Sequence, residues 1–164
     1  MAAPADSPFS PAAPTAIAGV GASAGGIEAF TALLKEMPPD SGLAFVFVQH
    51  LAPTHTSMLA EILQRATRMR VLEVHDEPVV QRNCVYVIPP ARVMTIRSGR
   101  LALAPRGQAP HHTVDEFFDS LATAQGHRAI GIVLSGTATD GTAGPRGDQG
   151  RGGHHDCAGL LGAV

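Results

Sequence analysis

The sequence is poor in charged residues and in cysteine. Asp, Glu, Lys and Arg make up 16% of the 164 residues, and the formal net charge is -2. So small a charge gives no electrostatic reason to expect nucleic acid or an anionic membrane as a partner. The two cysteines, Cys84 and Cys157, lie in an apolar run and in a glycine-rich tail. This placement indicates no disulfide framework.

Long hydrophobic runs are also missing. The longest, LAFVFV at 43–48, is far shorter than the roughly 20 residues that a membrane-spanning helix needs. The N-terminus has Asp6 and several prolines where a signal peptide would have basic residues and then an apolar stretch. We therefore expect a cytoplasmic protein that does not insert into a membrane.

Composition divides the chain into three parts. Residues 1–15 are rich in Pro and Ala and lack apolar periodicity, which predicts a disordered leader. Residues 16–144 hold the periodic apolar segments, and their number suits one domain. Residues 145–164 are rich in glycine and show neither helical nor strand periodicity, which is typical of a disordered tail.

Apolar strands and amphipathic helices alternate at the start of the middle part. The runs at 16–21 and 43–50 predict buried strands, and the segments at 27–37 and 57–67 predict helices. This alternation is typical of βαβ units. The residues expected to face the core are Ile27, Phe30, Leu34 and Met37 in the first helix, and Leu59, Ile62, Leu63 and Ala66 in the second.

The remaining segments complete the predicted fold. Further strands are expected at 69–74 and 84–90, a hairpin at 93–96 and 100–105 across Ser98 and Gly99, a helix at 113–125, and a last strand at 129–136. Thr113 and Glu116 have capping-box spacing, and the all-apolar last strand is typical of a central parallel strand. The residues of the 113–125 helix expected to point inward are Val114, Phe117, Phe118 and Leu121. The prediction is an α/β fold, with a doubly wound, mostly parallel sheet, helices on both faces and a β-hairpin insertion.

A serine lies between the first predicted strand and helix. Gly21, Ser23 and Gly25 form a G-x-S-x-G pattern, in which a sharp turn exposes the hydroxyl. The N-terminus of the following helix offers N–H groups to a developing oxyanion. A glycine turn needed only for packing explains the pattern equally well.

The same stretch also resembles a dinucleotide-binding fingerprint, with Gly19, Gly21 and Ala24 in place. Such sites usually end their second strand in an acidic residue that binds the ribose. Here the second strand ends in Gln49 and His50, which favours a hydrolase over nucleotide binding.

Two more polar residues follow predicted strands. His50 ends the second strand, and Asp140 lies in a loop of small residues after the last strand. Alone, each has an ordinary explanation, as an edge histidine or an Asp-Gly turn. Because the carboxyl ends of parallel strands meet at one rim, we expect Ser23, His50 and Asp140 to converge within hydrogen-bonding reach. A hydroxyl nucleophile, an imidazole base and an orienting carboxylate are the parts of serine acyl-transfer chemistry.

Histidines and a cysteine also raise the hypothesis of a metal site. The possible ligands are His111, His112, His154, His155, Asp156 and Cys157. Adjacent histidines in an extended segment point apart, and no second cluster has the spacing of a zinc site. We therefore expect no metal, and we interpret His55 and His75 as surface or capping residues.

Three motifs together resemble the chemotaxis-type protein-glutamate methylesterase domain. They are GASAGG at 21–26, VQH at 48–50 and LSGTATDG at 134–141, and the resemblance covers roughly residues 16–144. It implies Ser23 as the nucleophile, His50 as its base and Asp140 as the group that orients the base. It also places backbone oxyanion donors near Ala24 and Thr137, and it implies no cofactor or metal.

The reaction implied by this resemblance is hydrolysis of glutamate γ-methyl esters on chemoreceptor helices, with release of methanol. Some members of the family also deamidate glutamine. The chain has a short leader where the stand-alone family members have a receiver domain. In this respect it resembles multidomain proteins that begin with an esterase and continue into methyltransferase and sensor modules. The alternative is a catalytically silent docking module with the same fold.

The resemblance ends at the tail. Where the family continues close to GLRAIKAEGGITIAQD, this chain reads PRGDQGRGGHHDCAGLLGAV. If synonymous codons are chosen freely, a gene segment that encodes GDQGRGGHHDCAGLL can also encode AIKAEGGITIAQDSS when it is read one nucleotide later. The second sequence is a helix-forming stretch followed by a β-branched strand. We therefore expect residues 145–164 to be a frameshifted tail on an incomplete domain, and the product to aggregate easily and to have weak activity or none.

Overall fold

The structure, a computed structural model, describes residues 12–23, 25–49, 58–107 and 112–134. In chain order their elements are β1 (Ile17–Ala22), α1 (Gly26–Glu36), β2 (Ala44–Gln49), α2 (Leu59–Gln64), β3 (Arg70–Glu73), β4 (Cys84–Val87), β5 (Arg92–Arg97), β6 (Arg100–Pro105), α3 (Thr113–Gln125) and β7 (Ala129–Leu134), with a 3-10 turn at Gly126–Arg128.

Five strands form a parallel sheet in the order β3-β4-β2-β1-β7, and β5 and β6 form a separate antiparallel hairpin. The sheet separates two apolar clusters. Phe30 of α1 and Leu63 of α2 belong to one cluster, and Phe117 of α3 belongs to the other. This arrangement confirms the predicted α/β fold with helices on both faces of a parallel sheet.

The first strand, β1, lies inside this sheet, and all six of its residues are buried. Its two glycines lie where α3 packs directly against the backbone of the strand. A Cβ atom on Gly19 would lie 2.9 Å from Leu121 Cδ2, and one on Gly21 would overlap Val114 Cγ1. Gly19 and Gly21 therefore serve strand-to-helix packing.

The helices α1 and α2 cover one face of the sheet. Phe30 and Leu34 of α1 are buried, with Ile27 and Met37 partly buried beside them. In α2, Leu59 and Leu63 are buried one turn apart, so the same stripe of the helix faces the core. The predicted inward position of Ile62 is wrong. This residue is 44% exposed, because it lies beside the stripe formed by Leu59 and Leu63.

The helix α3 spans the 13 residues predicted for it, and Val114, Phe117 and Leu121 are buried. Phe118 is only partly buried and packs at the margin of the same cluster. The predicted capping box is wrong. The residue before the helix is His112, whose side chain makes no capping hydrogen bond, and Thr113 is already the first helical residue. A hydroxyl inside the helix cannot take the N-cap geometry that the spacing suggested.

The predicted hairpin is confirmed. Ser98 and Gly99 have φ angles of 48° and 73°, so both central residues of its two-residue turn are left-handed. This turn matches the twist of the paired strands. The hairpin is attached to α3, since the Ile96 N–H donates to Ser120 Oγ at 3.0 Å.

The position of β7 differs from the prediction. It pairs with β1, but in the sheet that the described residues form it is the outermost strand, whereas its apolar sequence predicted a central one. Ile130 and Val133 are 39% and 49% exposed. None of the helices in the described ranges is long and apolar enough to cross a bilayer.

The single tyrosine of the chain, Tyr86, lies in the core at 1% exposure. Its hydroxyl accepts a hydrogen bond from the Gln81 N–H at 3.0 Å and donates to the Val79 carbonyl at 3.4 Å. Burial raises the pKa of Tyr86 to about 12, although the hydrogen bond from Gln81 opposes the shift. Burial also raises the pKa of the neighbouring Cys84 thiol.

We expect the folded protein to lose stability between about pH 10 and pH 12, because Tyr86 has a pKa of about 12 in the fold and about 10 when unfolded. In this window the unfolded chain releases the proton and the folded chain retains it, so rising pH favours unfolding. The raised pKa of the Cys84 thiol also lowers the stability of the fold as the pH rises. Phenolate absorbance during an alkaline titration measures the effect, and a folded chain that forms phenolate near pH 10 would contradict it.

Candidate active site

Three strands of the sheet end side by side. In the parallel registers, Ala22 of β1 pairs with Gln49 of β2 on one side and with Leu134 of β7 on the other. Neighbouring strands lie about 4.8 Å apart, so the chain leaves these three strands at adjacent points of one rim. In sequence the next residues are Ser23, His50 and Ser135. This is the carboxyl rim, where open α/β sheets bind ligands.

Ser23 occupies a tight turn between β1 and α1. The Gly26 N–H donates to the Ser23 carbonyl at 2.9 Å, which closes the turn, and α1 begins at Gly26. A Cβ atom on Gly26 would overlap that of Ala22 and lie 3.2 Å from the Leu134 carbonyl. The missing side chain therefore lets the first turn of α1 lie directly over the ends of β1 and β7.

This position gives the turn a favourable electrostatic environment for an anion. The amino end of a helix carries a partial positive charge and N–H groups without partners in the helix. No side chain caps the amino end of α1, because the N-cap residue is Gly25. Helix α1 thus begins three residues after Ser23 in sequence, as the G-x-S-x-G pattern predicted.

Gln49 connects β2 to this turn. Its side chain is 6% exposed, and Nε2 donates to the Ser23 carbonyl at 3.1 Å. Sequence reasoning used Gln49 only as the residue that replaces the acidic group of a nucleotide site, and it missed this contact. The available signal was a single amide at the end of a strand whose other residues, AFVFV, are all apolar.

The amino end of α3 lies at the same rim, because Val114 covers Gly21 one residue before β1 ends. This end of the helix carries Asp115, which is 8% exposed. His112 Nδ1 lies 3.6 Å from the Asp115 carboxylate. Sequence reasoning did not single out Asp115. Thr113 is also buried here, and its Oγ1 has no hydrogen-bond partner within the described ranges.

The other predicted site residues lie outside the described residues. These are His50 and Asp140 of the triad, and Ala24 and Thr137 near the oxyanion donors. The convergence of Ser23, His50 and Asp140 therefore stays a prediction. Among residues 12–23, 25–49, 58–107 and 112–134, no three His, Cys, Asp or Glu side chains form a group that could hold a metal ion.

A parallel α/β sheet with a serine turn at its carboxyl rim is typical of enzymes that act through a serine hydroxyl. A family model described as CheB methylesterase matches residues 18–154. The chain belongs to the CheB methylesterase family.

Curated relatives agree with this assignment. The protein-glutamate methylesterase/protein-glutamine glutaminase 3 of Burkholderia thailandensis is 37% identical over 136 residues, which are 79% of this chain and 38% of that protein. A protein-glutamate methylesterase/protein-glutamine glutaminase of Geobacillus kaustophilus is 34% identical over 135 residues, which are 79% of this chain and 39% of that protein. The chain thus spans less than half the length of these relatives.

Two further matches extend the comparison. An uncharacterized 104.1 kDa protein of Rhodobacter capsulatus is 42% identical over 87 residues, which are 52% of this chain and 9% of that protein. The crystal structure of the CheB methylesterase catalytic domain of Thermotoga maritima has a TM-score of 0.67 and 25% identity, over 77% of this chain and 70% of that one.

Proposed function

We propose that this chain carries the catalytic domain of a serine-type carboxylic ester hydrolase that removes methyl groups from glutamate γ-methyl esters. The observation that carries the proposal is the shared rim. Ser23 leaves β1 beside the ends of β2 and β7, and His50 is the residue that follows β2. The same chemistry is named in the relatives from Burkholderia thailandensis and Geobacillus kaustophilus.

The proposed reaction has two steps. Ser23 Oγ attacks the ester carbonyl carbon while His50 takes the hydroxyl proton, and Asp140 holds the imidazole in the correct orientation. Collapse of the tetrahedral intermediate expels methoxide, which leaves as methanol after taking the proton from His50. A water molecule, activated by His50, then attacks the acyl-enzyme ester and releases glutamate and free Ser23. No metal or redox group enters these steps.

Oxyanion stabilisation is part of the same proposal. The backbone N–H groups near Ala24 and Thr137 are the proposed donors. The amino end of α1, which begins at Gly26, supports them with its partial positive charge. In the second reaction that the relatives' names suggest, glutamine replaces the ester and ammonia replaces methanol as the leaving group.

The proposed substrates are methylated helices of chemoreceptor-type proteins in the cytoplasm. The long relative from Rhodobacter capsulatus supports a larger parent polypeptide, because the matched segment is only 9% of that protein. We propose methyltransferase and sensor modules as the other parts of such a parent.

Incubation of the full chain with a receptor fragment carrying methyl-esterified glutamates tests this function. We expect release of methanol and, from a fragment with glutamine at the same sites, a slower release of ammonia, because an amide is a poorer acyl donor than an ester. A counterpart that carries AIKAEGGITIAQDSS at residues 147–161 is assayed beside it. If neither form releases methanol above the uncatalysed rate, the chain is a silent module and the proposal is wrong.

A further inference from the structure

The side chain of Gln49 is the starting observation. Gln49 is the last residue of β2 and is only 6% exposed. It pairs in register with Ala22, the residue before Ser23. Amides are rarely buried at this level unless they make specific hydrogen bonds. Gln49 makes such a bond, from Nε2 to the Ser23 carbonyl oxygen at 3.1 Å.

The Ser23 carbonyl consequently accepts two hydrogen bonds. One comes from the Gly26 N–H at 2.9 Å and closes the turn, and the other comes from Gln49 on the neighbouring strand. The first bond is local and sets the shape of the turn. The second bond ties the turn to β2 and therefore sets where the Ser23 backbone lies relative to the end of that strand.

The orientation of the amide is determined by its partner. A carbonyl oxygen only accepts, so Nε2 must face Ser23 and Oε1 must face away from it. Within the described ranges no donor reaches Oε1, although this atom is buried. A fold that needed only to fill this space would place an apolar side chain here, as it does at every other residue of β2.

We propose that Gln49 is a positioning residue, which holds the backbone of Ser23 against the end of β2 and so fixes where the Ser23 hydroxyl lies at the carboxyl rim. This inference rests on the proposed role of Ser23 as nucleophile. Gln49 acts through Ser23 and does not touch the reacting ester. Loss of the Nε2 bond moves the nucleophile, and the reaction rate is sensitive to displacements of this kind.

A second glutamine provides a matched control. Gln64, at the end of α2, donates from Nε2 to the Thr67 and Met69 carbonyls and accepts from the Val71 N–H at 3.0 Å. These bonds lie where β3 begins, at the amino rim of the sheet. Gln64 therefore stabilises a turn by the same side-chain chemistry at the opposite end from Ser23.

The experiment compares Gln49→Met, Gln49→Glu and Gln64→Met in the full chain. Methionine preserves the volume without a donor, and glutamate preserves the shape but places a carboxylate oxygen against the Ser23 carbonyl. We expect both Gln49 variants to lower the rate at which a serine-directed phosphonate labels Ser23 by about 10- to 100-fold. We also expect kcat to fall with little change in KM, and the Gly26 amide to exchange its hydrogen faster.

In Gln64→Met we expect a lower melting temperature, with the labelling rate and the Gly26 exchange unchanged. Two results would overturn the inference in distinguishable ways. If the wild-type chain is labelled at Ser23 and both Gln49 variants are labelled equally fast, Gln49 has no positioning role and the proposed function stands. The same variants are compared in the form that carries AIKAEGGITIAQDSS at residues 147–161, and if neither form is labelled at Ser23, the proposed function fails and the inference fails with it.

Discussion

In the form that carries AIKAEGGITIAQDSS at residues 147–161, replacing Ser23 with alanine should lower the rate of ester hydrolysis by about four to six orders of magnitude, as loss of the nucleophile does in other triads. The fold should be preserved, because alanine retains the backbone carbonyl that accepts the hydrogen bonds from the Gly26 N–H and Gln49 Nε2. Phosphonate labelling should disappear completely. Methanol release from a methyl-esterified receptor fragment measures the first effect, and mass spectrometry of the labelled chain measures the second.

Substitutions at the three proposed triad residues should lower the activity in a defined order. His50→Ala should lose about as much activity as Ser23→Ala, and Asp140→Asn should lose less, because an orienting group contributes less than a nucleophile or base. Ser41→Ala is the control, since its hydroxyl accepts a hydrogen bond from the Leu43 N–H, at 3.4 Å, in the loop before β2. Activity that survives Ser23→Ala, or that falls equally in Ser41→Ala, would contradict the proposed nucleophile.

Replacing residues 147–161 with AIKAEGGITIAQDSS should give a more soluble, more stable and more active protein. The reason is the exposed flank of β7, where Ile130 and Val133 are 39% and 49% exposed at the outer edge of the described sheet. An uncovered apolar edge promotes aggregation. If the shifted-frame segment covers it, burial of these side chains should raise the melting temperature by about 5–10 °C.

A scrambled version of the same 15 residues is the matched control for this exchange, because it has the same composition without the helix and strand pattern. Thermal unfolding, the soluble fraction after expression and methanol release are measured for all three forms. Equal behaviour of the three would show that the segment is dispensable. The nucleotide sequence around codon 144 tests the origin separately, since a gene in which no shifted frame spells AIKAEGG would refute the frameshift.

Local patterns in the sequence predicted much of this fold. The apolar runs that became β1 and β2 could have few other structures, because each is short and is followed by an amphipathic segment with the period of a helix. The turn at Ser98 and Gly99 was predictable because few residues other than glycine and polar residues adopt two successive left-handed conformations. Ser23 could be placed at the carboxyl rim because it follows a predicted strand of a parallel sheet.

What could not be predicted depends on contacts between segments that are distant in sequence. The spacing of Thr113 and Glu116 suggested a cap, but helix α3 starts one residue earlier than a cap at Thr113 requires, where its Val114 packs on Gly21. The exposure of Ile62 depends on which stripe of α2 faces the sheet. The bond from Gln49 to Ser23 joins the end of β2 to the turn after β1, through a register that no local pattern reveals.

The pairing of Ile17 with Ala129 has a consequence during protein synthesis. At about 5–20 residues per second, the ribosome needs roughly 5–20 s to make the chain between these partners. Throughout this interval one side of β1 has hydrogen-bonding groups with no strand beside them. The nascent chain thus presents an unpaired apolar strand edge until β7 emerges.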